Sequence, residues 1–473
     1  MTNSTDSLWK LGASDLISLI KEKEISPEEV LNSNLDRIEE VNSAVNAVVT
    51  LCTERARKIL KDEPEKINSC LAQLPVLIKD TTEVAGVKTT YGSKLYENNI
   101  SKKSDILVTN IESNGGVILG KTNTPELAAG SNTFNDIFGT TKNPWNLSLS
   151  AGGSSGGSAA ALASGMAWFA TGSDLGGSLR NPASWNGVVG LRPTSGLVSH
   201  GPTSNPFNIL GLSGPMARNI NDLSIFLDAI AKYNPLDPLS VKRSVKSYYK
   251  SLNEESSQSF KIAVTEDFGL FPCSAEIKEM TGNTSRLISS LGHEVDNSYP
   301  SMLEAEESFQ ILRAYMFFST YGFLLSDHRN VKKEIIWNIE KGKRLKVTDI
   351  VKAENIRAKL YQNISNFFSD YDFLVCPSSS VVPFTHQIRW VKKINNKVFD
   401  NYVSWLMICG CLSLVNCPCL ALPTSIAKNG APIGIQIIAP PYQEEKLLNF
   451  AKSIEKEINI SELLPIDPKH ELS

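Results

Sequence analysis

Histidine is scarce in this chain: five among 473 residues, at positions 200, 293, 328, 386 and 470. None lies in an evident catalytic loop, so chemistry that needs an imidazole base has few places to come from. An excess of either charge is also missing, since 47 Lys and Arg stand against 50 Asp and Glu. That balance leaves neither the basic footprint of a nucleic-acid binder nor a polybasic membrane patch, and neither partner is expected. The opening MTNSTDSLWKL has no basic stretch leading into an apolar core. A secretory leader is therefore not read there, and the cytoplasm is the expected location. Without an export signal, the eight cysteines are expected to be reduced thiols rather than a disulfide framework.

The most apolar piece is Tyr402 to Pro423, with no charge between Asp400 and Lys428. Asn416, Pro418 and a helix-then-strand pattern favour a buried hairpin over a membrane span. Two CxC pairs fall in it, Cys409 with Cys411 and Cys417 with Cys419. They lack the spacing and turn glycines of structural zinc, so core packing is expected, with no metal and no cofactor.

What is present is an ordinary globular composition, 41% hydrophobic and 21% charged. Strand-like and helix-like patterns mix along it, as in an α/β protein. Ser26-Pro27-Glu28-Glu29 reads as a capped helix start, and apolar spacing carries that helix to about residue 41. Strands are expected at Leu74 to Ile78, Lys261 to Thr265, Phe373 to Cys376 and Ile433 to Ala439, and helices at Ser274 to Leu291, Ser301 to Leu325, Asp349 to Phe368 and Glu444 to Ile458. Gly115 to Thr122, GGVILGKT, satisfies the phosphate-loop pattern. Its Val117-Ile118-Leu119 core reads as a strand whose amides belong in a ladder, so nucleotide binding is not expected.

The stretch from Ala151 to Ser178, AGGSSGGSAAALASGMAWFATGSDLGGS, is half glycine and serine. It is no flexible linker, because its two small-residue loops enclose an apolar run that needs burial. Glycines on both sides of a buried element bring backbone close to something, and converging N–H groups there suit a developing oxyanion. Ser154, Ser155, Ser158, Ser173 and Ser178 are nucleophile candidates. Ser154 and Ser155 each centre a G-x-S-x-G pattern, which keeps a Ser-His-Asp triad open. Asp174-Leu175-Gly176-Gly177-Ser178 is the better loop, with Ser178 following unhindered amides. The base is then sought among Lys79, Lys121 and Lys142; a lysine at a strand end can lose its charge by burial.

GGSSGGSAAALASG followed by GSDLGGSLRNPASWNGVVGLRPTSG resembles the amidase signature hydrolases. These include bacterial amidases, fatty acid amide hydrolase and the A subunit of glutamine-dependent aminoacyl-tRNA amidotransferase. LPVLIKD, GGVILGKTNTPELAAGSNTFNDIFGTTKNPW, GPMARNINDLSIFLDAI, DFLVCPSS and LPTSIAKNGAPIGIQIIA extend the likeness over nearly the whole chain. The resemblance implies the amidase signature fold, a large mixed β-sheet core flanked by α-helices, in a single domain over residues 1–473. Its core motif would span 74–200, with a helix-rich segment at about 235–370.

It further implies a Ser-cisSer-Lys set: Ser178 as nucleophile, Ser154 as bridging serine with a cis bond to Gly153, and Lys79 as base. Leu175, Gly176, Gly177 and Ser178 would supply the oxyanion hole, with Gly153, Asp174 and Arg180 supporting the loop. Two positions depart from the family's habit: Asn186 stands where cysteine is frequent, and Ser195 where tyrosine is. The expected activity is hydrolysis of a linear carboxylic amide through an acyl-enzyme. Glu340 to Phe384 looks like stand-alone amidases, so the expected partner is a small-molecule amide, without nucleic acid or membrane; a homodimer is compatible. The alternative is an amidotransferase A subunit releasing ammonia from glutamine. Trp168, Trp185, Tyr315, Phe317 and Phe318 are candidates to line an acyl pocket.

Overall fold

The computed structural model describes residues 5–252, 258–327 and 329–470. Residues 1–4, on which part of the leader reading rests, and His328 lie outside the described residues. Eleven of the described strands form one sheet: β1 Val48–Leu51, β2 Pro75–Lys79, β3 Val117–Thr122, β4 Phe169–Asp174, β5 Val189–Arg192, β6 Leu212–Ala217, β7 Lys261–Val264, β8 Glu294–Asn297, β9 Phe373–Pro377, β10 Cys419–Ile426 and β11 Pro432–Ile438. Their spatial order is β1-β3-β2-β4-β6-β5-β10-β11-β9-β7-β8. The sheet is mixed, with β2 parallel to both β3 and β4, and β10 antiparallel to β5 and β11.

The helices that matter for the site are α1 Pro27–Val45, α2 Gly156–Ala163, α3 Arg180–Asn186, α4 Ile220–Ile230, α5 Ala275–Ser290, α6 Ala305–Tyr321, α7 Lys333–Lys343, α8 Val347–Phe367, α9 Met407–Ser413 and α10 Glu444–Ile458. α1 begins as its sequence dictates: the Ser26 hydroxyl accepts from the Glu29 amide, and the Glu29 carboxylate accepts from Ser26 N–H. α2 is buried along its whole length, which its Gly, Ser and Ala side chains permit by letting β2 and β4 approach closely. The expected helix at Ser301 to Leu325 is α6 followed by a 3₁₀ turn, Gly322–Leu325. Glycine at 322 loses helix propensity where the turn tightens.

Tyr402 to Pro423 is a helix-then-strand hairpin, α9 into β10. No helix among the described residues is long and apolar enough to cross a membrane. All eight cysteines are free thiols, and Cys409, Cys411, Cys417 and Cys419 are buried. The phosphate-loop pattern dissolves into β3, whose residues Val117 to Thr122 are all strand and all buried.

Candidate active site

Lys79 is the last residue of β2, and its side chain is fully buried. Three serine hydroxyls ring its Nζ: Ser154 at 2.7 Å, Ser173 at 2.9 Å and Ser155 at 3.0 Å. Burial pushes the Lys79 amine down to about 7, and the Asp174 carboxylate offsets only part of that. A neutral amine carries two N–H groups and one lone pair, so one of these hydroxyls must donate to it. The Ser155 hydroxyl donates to the Ser173 carbonyl at 3.3 Å, which leaves Ser154 and Ser173 for that role. Ser154 follows Gly153 through a cis peptide bond and sits in the loop before α2. A Cβ on Gly153 would lie 3.0 Å from the Asn132 amide nitrogen, so the loop needs glycine there.

Ser178 and Ser154 line one cavity of about 190 Å³, together with Leu175, Gly176, Phe309 and Arg313. The Ser178 hydroxyl makes no hydrogen bond among the described residues, so its lone pairs face the cavity uncommitted. Of the four amides nominated for the oxyanion hole, that of Gly177 is taken: it donates to Asp174 Oδ1 at 2.9 Å. No acceptor within the described residues takes the Leu175, Gly176 or Ser178 amide, and these three stay available. Gly177 instead shapes the loop, with φ at +112° and a Cβ position 2.8 Å from Cys409 Cβ.

Asp174 and Arg180 hold that loop from behind. Arg180 donates from Nε and Nη2 to the two Asp174 oxygens at 3.0 and 2.8 Å, and Leu179 N–H adds a bond at 3.0 Å. Burial raises the Asp174 carboxyl, but Arg180, Arg192 and the Gly177 amide outweigh it and hold the group well below the usual carboxylate range.

The other sequence candidates fall elsewhere. Ser155 and Ser173 hold Lys79, while Ser158 donates to the Thr171 carbonyl at 2.8 Å. Lys121 is buried, donating to the Thr82 carbonyl and Thr89 hydroxyl with Asp80 at 3.6 Å. Lys142 sits in a two-residue strand opposite Ser150. None of the described histidines hydrogen-bonds a serine of the two loops, which removes the Ser-His-Asp alternative among them. Among the aromatic candidates, Phe317 lines the cavity; Trp168 and Trp185 are core residues, and Tyr315 and Phe318 are exposed. Sequence reasoning missed Ser131, whose hydroxyl donates to the Gly153 carbonyl at 3.1 Å, and Arg313. No local signal marks either, because both reach the site from distant segments.

The sequence model described as Amidase matches residues 29–448. The A subunit of the glutamyl-tRNA(Gln) amidotransferase from Caldanaerobacter subterraneus subsp. tengcongensis is 33% identical, over 95% of this chain and 96% of that protein. Among solved structures, a bacterial aryl acylamidase of the amidase signature enzymes superposes with a TM-score of 0.89 at 25% identity, covering 96% of this chain and 97% of its own. The Thermotoga maritima counterpart of the glutamyl-tRNA(Gln) amidotransferase A subunit gives 0.75 at 27% identity, covering 96% of each.

These likenesses correct one expectation, that of a chain acting alone on a small-molecule amide with no nucleic acid in its partnership. Relatives this similar over the whole chain are subunits by name, of an enzyme named for a tRNA. The stand-alone reading came from the look of Glu340 to Phe384, and the absence of nucleic acid from net charge, which averages the whole surface and is silent about any local patch where a partner docks.

Proposed function

This chain belongs to the amidase signature family and is an amide hydrolase, and we propose that it works by acyl transfer to Ser178. The observation that carries the reading is the buried Lys79 amine, lowered to about 7 and 2.7 Å from Ser154 Oγ. Neutral Lys79 takes a proton from Ser154 as Ser154 takes that of Ser178 and Ser178 Oγ attacks the amide carbonyl. The oxyanion forms against the Leu175, Gly176 and Ser178 amides. The proton returns through Ser154 to the leaving nitrogen, the C–N bond breaks, and water hydrolyses the acyl-serine with the same relay.

Within that chemistry, the relatives favour glutamine as the amide, with ammonia passed on inside an assembly of subunits. The test is amide turnover with intact-mass detection of an acyl group on Ser178. Ser178→Ala is expected to lose at least about 10⁴-fold in kcat, and Ser154→Ala about 10²–10⁴-fold. Wild-type turnover in either variant would end the reading. Glutaminase activity that rises when amidotransferase partner subunits are added supports the glutamine assignment, and activity indifferent to them removes it.

A further inference from the structure

The cavity beside Ser178 contains a charged side chain that the acyl-transfer chemistry leaves unused. Arg313, on α6, is 6% exposed and lines the same space of about 190 Å³. Helix geometry fixes its position. Phe309, one turn earlier, lies against the oxyanion loop, where a Cβ on Gly176 would stand 3.0 Å from its ring. Four residues of helix advance about 6 Å, so Arg313 joins the cavity wall one turn of α6 beyond Phe309. The guanidinium lies over two rings, 4.2 Å from the Phe317 centroid and 5.2 Å from that of Tyr402. Both rings clamp the cation without neutralising it.

Arg313 hydrogen-bonds the Tyr402 hydroxyl, but its charge has no acidic partner. No carboxylate lies within ion-pair reach of Arg313 among the described residues, and its Nη1 is buried without an acceptor. Three other buried arginines are paired, Arg37 with Asp467 and both Arg180 and Arg192 with Asp174, while a fourth, Arg218, donates to the Trp9 and Leu11 carbonyls and, unlike Arg313, lies outside the cavity. The acid nearby, Glu334 on α7, is occupied by two bonds from Arg389 at 2.7 and 3.0 Å. Lys332 and Lys341 face the same region, where the Arg313 charge helps depress both amines after burial and against Glu334 and Glu306. An arginine cannot shed its proton, so a buried one left uncompensated is costly until an anion reaches it.

We propose that Arg313 receives a carboxylate carried by the acyl part of the substrate, so that the chain selects amides bearing an acid a few carbons from the scissile carbonyl. The cavity is smaller than the roughly 300–1,000 Å³ of drug-sized sites, which suits a short ω-amide of a dicarboxylic acid or an amino acid. Glutamine belongs to this class. The assignment deepens the acyl-transfer reading and rests on it.

The experiment compares glutaramate, the monoamide of glutaric acid, with pentanamide, in which a methyl group replaces the carboxylate. The full-length chain is expected to prefer glutaramate by about 10²-fold or more in kcat/KM. Arg313→Met collapses that ratio to within about threefold, mainly through KM, and Arg313→Lys restores part of it. In parallel, a fluorophosphonate is used to label Ser178, read by intact mass, with glutarate as protectant. Glutarate protects the wild type at lower concentration than the Arg313→Met variant, a readout that needs no turnover.

Equal kcat/KM for the two amides in the wild type, or a ratio or protection unchanged in Arg313→Met, overturns the inference while Ser178 labelling leaves the acyl-enzyme reading standing. Absence of labelling with no hydrolysis of either amide overturns both. Should Arg313→Met fail to fold, the wild-type ratio and Arg313→Lys still decide.

Discussion

At the scale of single residues, burial lowers the Lys79 amine to about 7, which suits it to the proposed role of base. An amine near 7 means that kcat/KM should climb about tenfold per pH unit below pH 7 and level off above it, where the lone pair is free. A profile flat from pH 5 to 9 would remove Lys79 from the mechanism. The same shift has a stability consequence of definite sign. Between about 7 and the ordinary 10.5, the unfolded chain holds a proton that the folded chain lacks, so stability rises with pH across that window. Lys79→Met is therefore expected to abolish turnover while raising stability at pH 7 by roughly 1–4 kcal/mol, with a flatter pH dependence in urea titrations. A variant both inactive and less stable would show that the hydroxyl contacts outweigh desolvation.

At the scale of elements, what the sequence discloses depends on whether a segment's neighbours are local. α1 announces itself by its cap and apolar spacing and α10 by apolar spacing, and both occur close to where the pattern puts them. β6, Leu212–Ala217, is hidden by Gly214 and Pro215, which argue against a central strand. It is tolerated because β5 pairs with it only at Met216 and Ala217, and because a Cβ at 214 would meet the Leu191 carbonyl oxygen. Both facts belong to the partner strand, outside any local window. Likewise the glycines of the 174–178 loop disclose a tight turn, but not that Gly177 spends its amide on Asp174 and presses on Cys409. That loop yields a test: Gly177→Ala places a methyl group at positive φ against α9. It is expected to cost about 2–4 kcal/mol in denaturant midpoints and to lower kcat more than it raises KM, since the oxyanion amides move with it. Wild-type kcat in a folded Gly177→Ala protein would separate the loop from catalysis.

At the scale of the whole molecule, the site is a junction between two distant parts of the chain. Lys79, Ser154 and Ser178 come from β2 and the loops around α2 and β4, while Cys409 of α9 packs against Gly177 and Gln436 of β11 meets Arg180. Arg180 spans the seam: besides Asp174 it donates to Gln436 Oε1 at 2.7 Å, the Cys409 carbonyl at 3.1 Å and the Ser413 hydroxyl at 3.0 Å. A cation this buried depends on Asp174 facing it, and Arg180 is the largest of the groups that hold Asp174 ionised, ahead of Arg192 and the Gly177 amide. Each single change should therefore strand a charge. Arg180→Met is expected to cost about 3–5 kcal/mol, and Asp174→Asn a similar amount. The double variant strands fewer charges, so its loss should fall short of the sum by about 1–3 kcal/mol. Urea midpoints of the four proteins measure that coupling. Additivity to within about 0.5 kcal/mol would mean that the two halves are joined by packing across α9 and β11, with the ion pair incidental.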